Sequence, residues 1–132
     1  MNVTGQDCKT TMTCTVSPSE DPQKIGTAIT NIFPDCTLQL QTHSVSAVSG
    51  SMESLEKIRQ SILSRQSQKT YRRSLQKHAY KNSTWFYLNK QAAFAKKIII
   101  CEEPDESPLG PIKVVLTSRN IEDVMGWLVD SG

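Results

Sequence analysis

The chain has 132 residues, 37% of them hydrophobic and 21% charged, with a formal net charge of +2. That length buries about two-thirds of the surface an unfolded chain exposes, without help from metal or disulfide, and the composition is too apolar for a disordered chain. No apolar run approaches the roughly 20 residues of a membrane helix, and no basic-then-apolar signal opens the chain, so a cytoplasmic protein with no membrane partner is expected.

Residues 1–7 are polar and read as a frayed N-terminus, with 8–132 as a single domain. Cys8, Met12, Cys14 and Val16 recur with a period of two among threonines, which predicts a strand. Ser17-Pro18 breaks it, and Ser19 is placed to cap a helix in which Ile25, Ala28, Ile29, Ile32 and Phe33 share a stripe and Pro34 is the stop. Cys36, Leu38, Leu40 and Thr42 alternate as a second strand, and His43-Ser44 turns into a weaker third, Val45–Ser49. Glu53 and Glu56 open a helical region, 52–80, with apolar positions at Leu55, Ile58, Ile62 and Leu63. The pattern falters at Ser64–Gln68 and resumes at Tyr71 and Leu75, giving one kinked helix or two, with His78 a surface residue on the second.

Thr84–Leu88 reads as an aromatic strand, Asn89–Ala95 as a turn or helical insert, and Lys96–Cys101 as a strand. The Ile98-Ile99-Ile100 core of that last strand suits a central position covered on both faces. Glu102–Pro111, with three prolines, a glycine and four acids, is a loop. Ile112–Thr117 is the next strand, and Asn120 caps a final helix with Ile121, Val124, Met125 and Leu128 on its apolar face. Strands in adjacent pairs predict an α+β fold, a largely antiparallel sheet with helices packed on one face as a two-layer sandwich.

The charge is unevenly spread. From Lys57 to Lys97 there are eleven basic residues (Lys57, Arg59, Arg65, Lys69, Arg72, Arg73, Lys77, Lys81, Lys90, Lys96, Lys97) and no Asp or Glu. Four basic residues face 13 acidic ones in the rest of the chain. Total exclusion of acids over such a stretch points to an anionic partner rather than an ordinary solvated surface. Tyr71, Tyr80, Trp85, Phe86 and Tyr87 fall within it. Alternation puts Phe86 on one side of its strand and Trp85 with Tyr87 on the other, so one set packs inside while the other is free to stack on unpaired bases.

Nothing in the pattern specifies an enzyme. The six glycines never cluster into a phosphate loop and no Gly-x-Ser-x-Gly elbow exists. The acids of Glu102–Glu106 resemble a solvated loop rather than a tuned dyad. Cys8, Cys14, Cys36 and Cys101 form no close pair and lie far from His43 and His78, so neither metal nor cofactor is expected and buried free thiols are.

Four blocks resemble, in the same order, those of an archaeal family of unassigned function described as RNA-binding. They are Ser19-Glu20-Asp21-Pro22 leading to Asn31-Ile32-Phe33-Pro34-Asp35, Arg65-Gln66 with Thr70 and Arg72, Phe86–Phe94, and Pro108-Leu109-Gly110-Pro111-Ile112. The resemblance spans roughly residues 8 to 130. It implies a fold like that of the ribosomal protein that binds 5S RNA, and RNA as partner. The acidic loop before Pro108 is longer than that pattern, and the third strand lacks its glycine-turned hairpin.

The leading reading is therefore a non-catalytic RNA-binding module with a basic surface from 57–97, its contacts being Arg65, Lys69, Arg72, Arg73, Lys77, Asn89, Lys90, Gln91, Lys96 and Lys97. Asn89, Lys90 and Gln91 read equally well as a structural turn. The alternative is a protein-interaction or assembly subunit, homodimeric in one form, that docks an acidic partner. On the cysteines the expected outcome is plain: intact mass under denaturing, non-reducing conditions should not change on reduction, and freshly purified protein should carry no stoichiometric zinc.

Overall fold

The computed structural model describes residues 8–50 and 55–130. The expected fraying of 1–7 and the helix-opening role of Glu53 lie outside them. The elements are β1 (Lys9–Thr15), α1 (Pro22–Ile32), β2 (Thr37–Leu40), β3 (Ser44–Ser49), α2 (Glu56–Arg65), α3 (Gln68–Lys77), β4 (Ser83–Leu88), α4 (Lys90–Phe94), β5 (Ile100–Cys101), β6 (Ile112–Thr117) and α5 (Ile121–Val129). The strands form one antiparallel sheet in the order β2-β3-β1-β6-β4-β5. The fold is α+β, as the paired strands predict.

Alternation divides the sheet into two faces. Met12, Cys14, Val45, Ala47, Phe86, Leu88, Ile112, Val114 and Leu116 are buried and meet Ile25, Ile29, Phe33, Ile58, Ile62, Leu75 and Leu128 from the helices. Tyr71 sets its ring edge-on to Phe86, with centroids 5.5 Å apart. Its hydroxyl is buried with no partner among the described residues, and burial pushes the phenol's pKa up. Gly26 lets the edge strand close on α1, because a Cβ there would sit 3.2 Å from the methyls of both Leu38 and Leu40. The other sheet face carries Thr11, Thr13, Thr15, Ser46, Lys113, Val115, Trp85 and Tyr87, all exposed or half-buried.

Two expectations are corrected. The cap of α1 is Asp21, whose carboxylate accepts from the Gln23 N–H at 2.9 Å, and not Ser19. Pro22 takes the first helical position, where its missing N–H is harmless, so the cap has to be the residue before it. The second correction is larger. Lys96–Cys101 is not a central strand: only Ile100 and Cys101 pair, at the sheet edge, while β1 and β6 hold the centre. The turn that ends α4 leaves Lys96 at φ +63° and gives the Lys96 and Lys97 N–H groups to the Ala93 and Ala92 carbonyls. Ser61 then donates to the Ile98 carbonyl and the Asn89 N–H to that of Ile99. The apolar run thus spends its hydrogen bonds on helices and turns.

The ambiguous helical region resolves into two helices. Gln66, at φ +53°, sends its N–H to the Leu63 carbonyl, and the Ser67 N–H goes to that of Ile62, which ends α2 before α3 begins. Ile29 lies fully buried in the stripe of α1 facing the sheet. Ile29→Ala should lower the unfolding free energy by about 2–5 kcal/mol in urea titrations.

Candidate nucleic-acid interface

The Asn89-Lys90-Gln91 string has a structural job. Asn89 caps α4, its side chain accepting from the Ala92 N–H at 2.9 Å. Lys90 is completely buried. Its ammonium donates to the Thr15 carbonyl at 3.2 Å, the Leu109 carbonyl at 2.7 Å and the Glu20 carboxylate at 2.9 Å. Three donors meet three acceptors, so no proton is left for a phosphate. Its backbone N–H goes to Ser107 Oγ, which itself donates to the Gly110 carbonyl. Lys90 therefore leaves the set of candidate contacts; Asn89 is half-buried with its side-chain oxygen committed to the cap, and of the three only Gln91 is exposed. Polarity in the sequence did not reveal direction: Lys90 and Ala93, one turn apart, both point inward.

Burial alone would raise the Glu20 carboxyl, but the Ser17 backbone N–H and the Lys90 ammonium outweigh it and hold the group below the ordinary carboxylate range.

The remaining cations fall into three settings. On α3, Tyr71, Ser74 and Leu75 turn inward, which leaves Arg72, Arg73 and Lys77 exposed. Arg73 Nε lies 2.6 Å from Glu102 Oε1, and Lys77 Nζ lies 3.9 Å from Glu103 Oε1. The acidic loop thus partly neutralises the basic helix.

Arg72 instead borders a groove of about 550 Å³ between α3 and α5, with a floor that includes Leu75, Ile121 and Met125. Tyr80 and Lys81 stand at its edge, and Glu122 and Asp130 on the far wall. Tyr80 is 70% exposed, held by paired backbone hydrogen bonds with Ser83 across a tight turn. Lys81 Nζ sits 5.4 Å from its ring centroid.

The third setting lies along α2. Lys57, Ser61 and Arg65 repeat every fourth residue and so share a face. The Ser61 hydroxyl bonds to the Ile98 carbonyl at 3.2 Å, which brings the Lys96-Lys97 pair alongside. Arg65, Lys69, Arg72, Lys96 and Lys97 are exposed, and among the described residues none has an ion-pair partner. Tyr80 and Lys81 were absent from the sequence-derived site; the Tyr80–Asn82 turn signal was the available clue.

Phe86 is buried, while Trp85 and Tyr87 emerge on the open sheet face. The Trp85 indole already has companions. His78 stacks on it, with centroids 3.4 Å apart and planes 11° apart, and Lys113 Nζ lies 4.4 Å from a ring centroid. His78 is therefore half-buried at the end of α3, its Nδ1 3.0 Å from the Trp85 carbonyl oxygen. The four cysteines are free, and burial pushes all four thiols up, Cys101 to about 11. At neutral pH they are protonated and poor nucleophiles. Among the described residues no group of His, Cys, Asp and Glu could hold a metal ion, and no helix is long and apolar enough to cross a membrane.

A family model described as RNA binding matches residues 9–118. A UPF0201 protein of Methanothermobacter thermautotrophicus is 37% identical over 115 residues, covering 86% of this chain and 84% of the relative. The chain belongs to the UPF0201 family. A second UPF0201 protein, from Sulfurisphaera tokodaii, is 35% identical over 117 residues, covering 86% of this chain and 81% of that relative. The crystal structure of a UPF0201 protein from Methanococcus jannaschii superposes with a TM-score of 0.78 at 26% identity, over 92% of both chains. A DUF54 protein from Methanothermobacter thermautotrophicus shares the fold, with a TM-score of 0.68 at 12% identity over 95% of this chain and 99% of that one.

In this UPF0201 member Lys90 is a structural cation, bonded within the chain to Thr15, Glu20 and Leu109. Lys90→Ala should cost about 3–5 kcal/mol in urea unfolding, because it strands a half-buried carboxylate and two carbonyls. Glu20 contributes stability above the ordinary carboxylate range and loses it as pH falls through its lowered folded value. The stability difference between wild type and Glu20→Gln should therefore shrink from pH 7 toward acid.

Proposed function

We propose that this chain binds RNA without catalysing a reaction on it, mainly by neutralising phosphates with exposed cations of the helical layer. One observation carries the reading. Of the ten exposed cations without an ion-pair partner among the described residues, seven, Lys57, Arg65, Lys69, Arg72, Lys81, Lys96 and Lys97, come from the segment that excludes acids, in a family described as RNA binding. Arg72 is the leading contact, since a guanidinium fork fits phosphate oxygens better than a point charge and Tyr80 beside it offers a stacking face. Arg73 and Lys77 become contacts only by giving up Glu102 and Glu103, and these exposed pairs are weak enough to exchange.

Arg72→Glu should weaken binding across many RNA sequences and reduce the slope of log affinity against log salt by about 0.7–0.9. Lys24→Glu makes the same charge change on the exposed surface of α1. Fluorescence anisotropy titrations at several salt concentrations compare the two. Equal losses would mean that only overall charge matters. Intact RNA-free complexes with an acidic protein, surviving nuclease treatment, would favour the assembly reading instead.

A further inference from the structure

The open sheet face has a feature that the basic helical layer does not explain. Near one end of the sheet lies a cavity of about 240 Å³ lined by Thr13, Thr15, Ser44, Tyr87, Lys113 and two prolines, Pro104 and Pro111. Thr13 and Tyr87 both lie opposite Lys113, and Ser44 lies opposite Thr15, so these side chains share one surface. Tyr87 and the prolines supply flat apolar walls. Thr13 and Thr15 are exposed residues, and neither hydroxyl has a hydrogen-bond partner among the described residues.

The charge is one-sided. The residues that β1, β2, β3, β4 and β6 turn toward this face include Lys9 and Lys113 and no Asp or Glu. Lys113 is half-buried against the Trp85 ring and has no carboxylate partner among the described residues. Three of the four acids of the Glu102–Glu106 loop are engaged elsewhere, Glu102 with Arg73, Glu103 with Lys77, and Glu106 with the Glu102 N–H, while Asp105 is exposed beside Pro104 with no ion-pair partner among the described residues.

The rim of this cavity is what the buried Lys90 holds. Its ammonium joins the Thr15 carbonyl, at the end of β1, to the Leu109 carbonyl, and Ser107 closes the same turn onto Gly110. Leu109 and Gly110 both have positive φ, +63° and +94°, and a Cβ on Gly110 would press to 3.0 Å from Thr15 Oγ1. A costly buried cation thus sets the position of Pro111 against the sheet face. A preformed cleft with a flat aromatic wall, free hydroxyls and one unneutralised ammonium matches a nucleotide: ring, base edge and phosphate.

We infer that this cleft seats one unpaired nucleotide of a single-stranded RNA, its base stacked on Tyr87 and its phosphate on Lys113. This rests on the RNA-binding reading but names a different surface and the strand state of the ligand. The base enters beside Tyr87 rather than over Trp85, whose ring is taken by His78 and Lys113.

The test uses the full chain with labelled oligouridylate, labelled oligoadenylate and an RNA duplex of equal length. Tyr87→Leu keeps an apolar side chain and loses the flat ring. It should weaken single-strand binding about ten-fold, leave duplex binding unchanged, and be rescued by Tyr87→Phe. Lys113→Gln should weaken single-strand binding and reduce its salt slope by about 0.7. Ultraviolet crosslinking of 4-thiouridine RNA to wild-type protein should label the peptides carrying Tyr87 or Lys113, and this readout holds even if a variant misfolds. Binding to duplex only, equal loss on both ligands, or crosslinks confined to the helical layer would overturn the cleft while sparing the RNA-binding reading. Binding to no RNA at low salt would overturn both.

Discussion

One buried ammonium ties the chain together. Lys90 sits at the start of a five-residue helix and joins three segments far apart in sequence: the end of β1 at Thr15, the loop carboxylate of Glu20 and the turn at Leu109. An isolated ammonium would pay a large desolvation penalty at this depth, and only a complete set of acceptors makes the position tolerable. That requirement constrains the neighbourhood. Glu20 is fixed by the Ser17 N–H as well as by Lys90, and the Ser107–Gly110 turn accepts two residues with positive φ. A hydrophobic residue would fill the space, but it would not hold three backbone segments in one register.

The sheet presents two chemically distinct faces. One is apolar and covered by five helices among the described residues; the other is open, rich in hydroxyls, and carries Trp85, Tyr87 and Lys113. Antiparallel sheets allow this asymmetry because each strand alternates its side chains. The acid-free segment contributes to both faces: its helices carry Arg65, Lys69 and Arg72, and its strand β4 carries the aromatic pair. Folding also returns acid to the basic region. Glu102 and Glu103 close onto Arg73 and Lys77, so the densest run of positive charge is partly masked by a loop that follows it in the chain.

Much of the architecture was legible before folding. Period-two threonine and apolar alternation marked β1, and the 3–4 spacing of Ile25, Ile29, Ile32 and Phe33 marked α1, while the break at Ser64–Gln68 left one kinked helix or two for the fold to decide. Trp85 and Tyr87 opposite Phe86 followed from alternation alone. These features are local, and backbone geometry dictates them within a few residues. The fate of Ile98–Ile100 was not legible. An apolar triplet reads the same whether its carbonyls meet a strand or, as here, the Ser61 hydroxyl and the Asn89 N–H.

The sequence by itself determined which residues carry charge, where acids are excluded and which positions alternate, because these depend only on order and composition. Tertiary structure decided which cations are free. Arg72 and Lys90 are both basic residues in or beside helices, yet one borders an open groove and the other is sealed beneath a turn. The difference lies in contacts between residues as far apart as Thr15, Glu20 and Leu109, whose meeting no local pattern encodes. The cleft beside Tyr87 has the same origin: its walls come from β1, β3, β4, β6 and the loop before β6, and it exists only once antiparallel pairing sets them side by side.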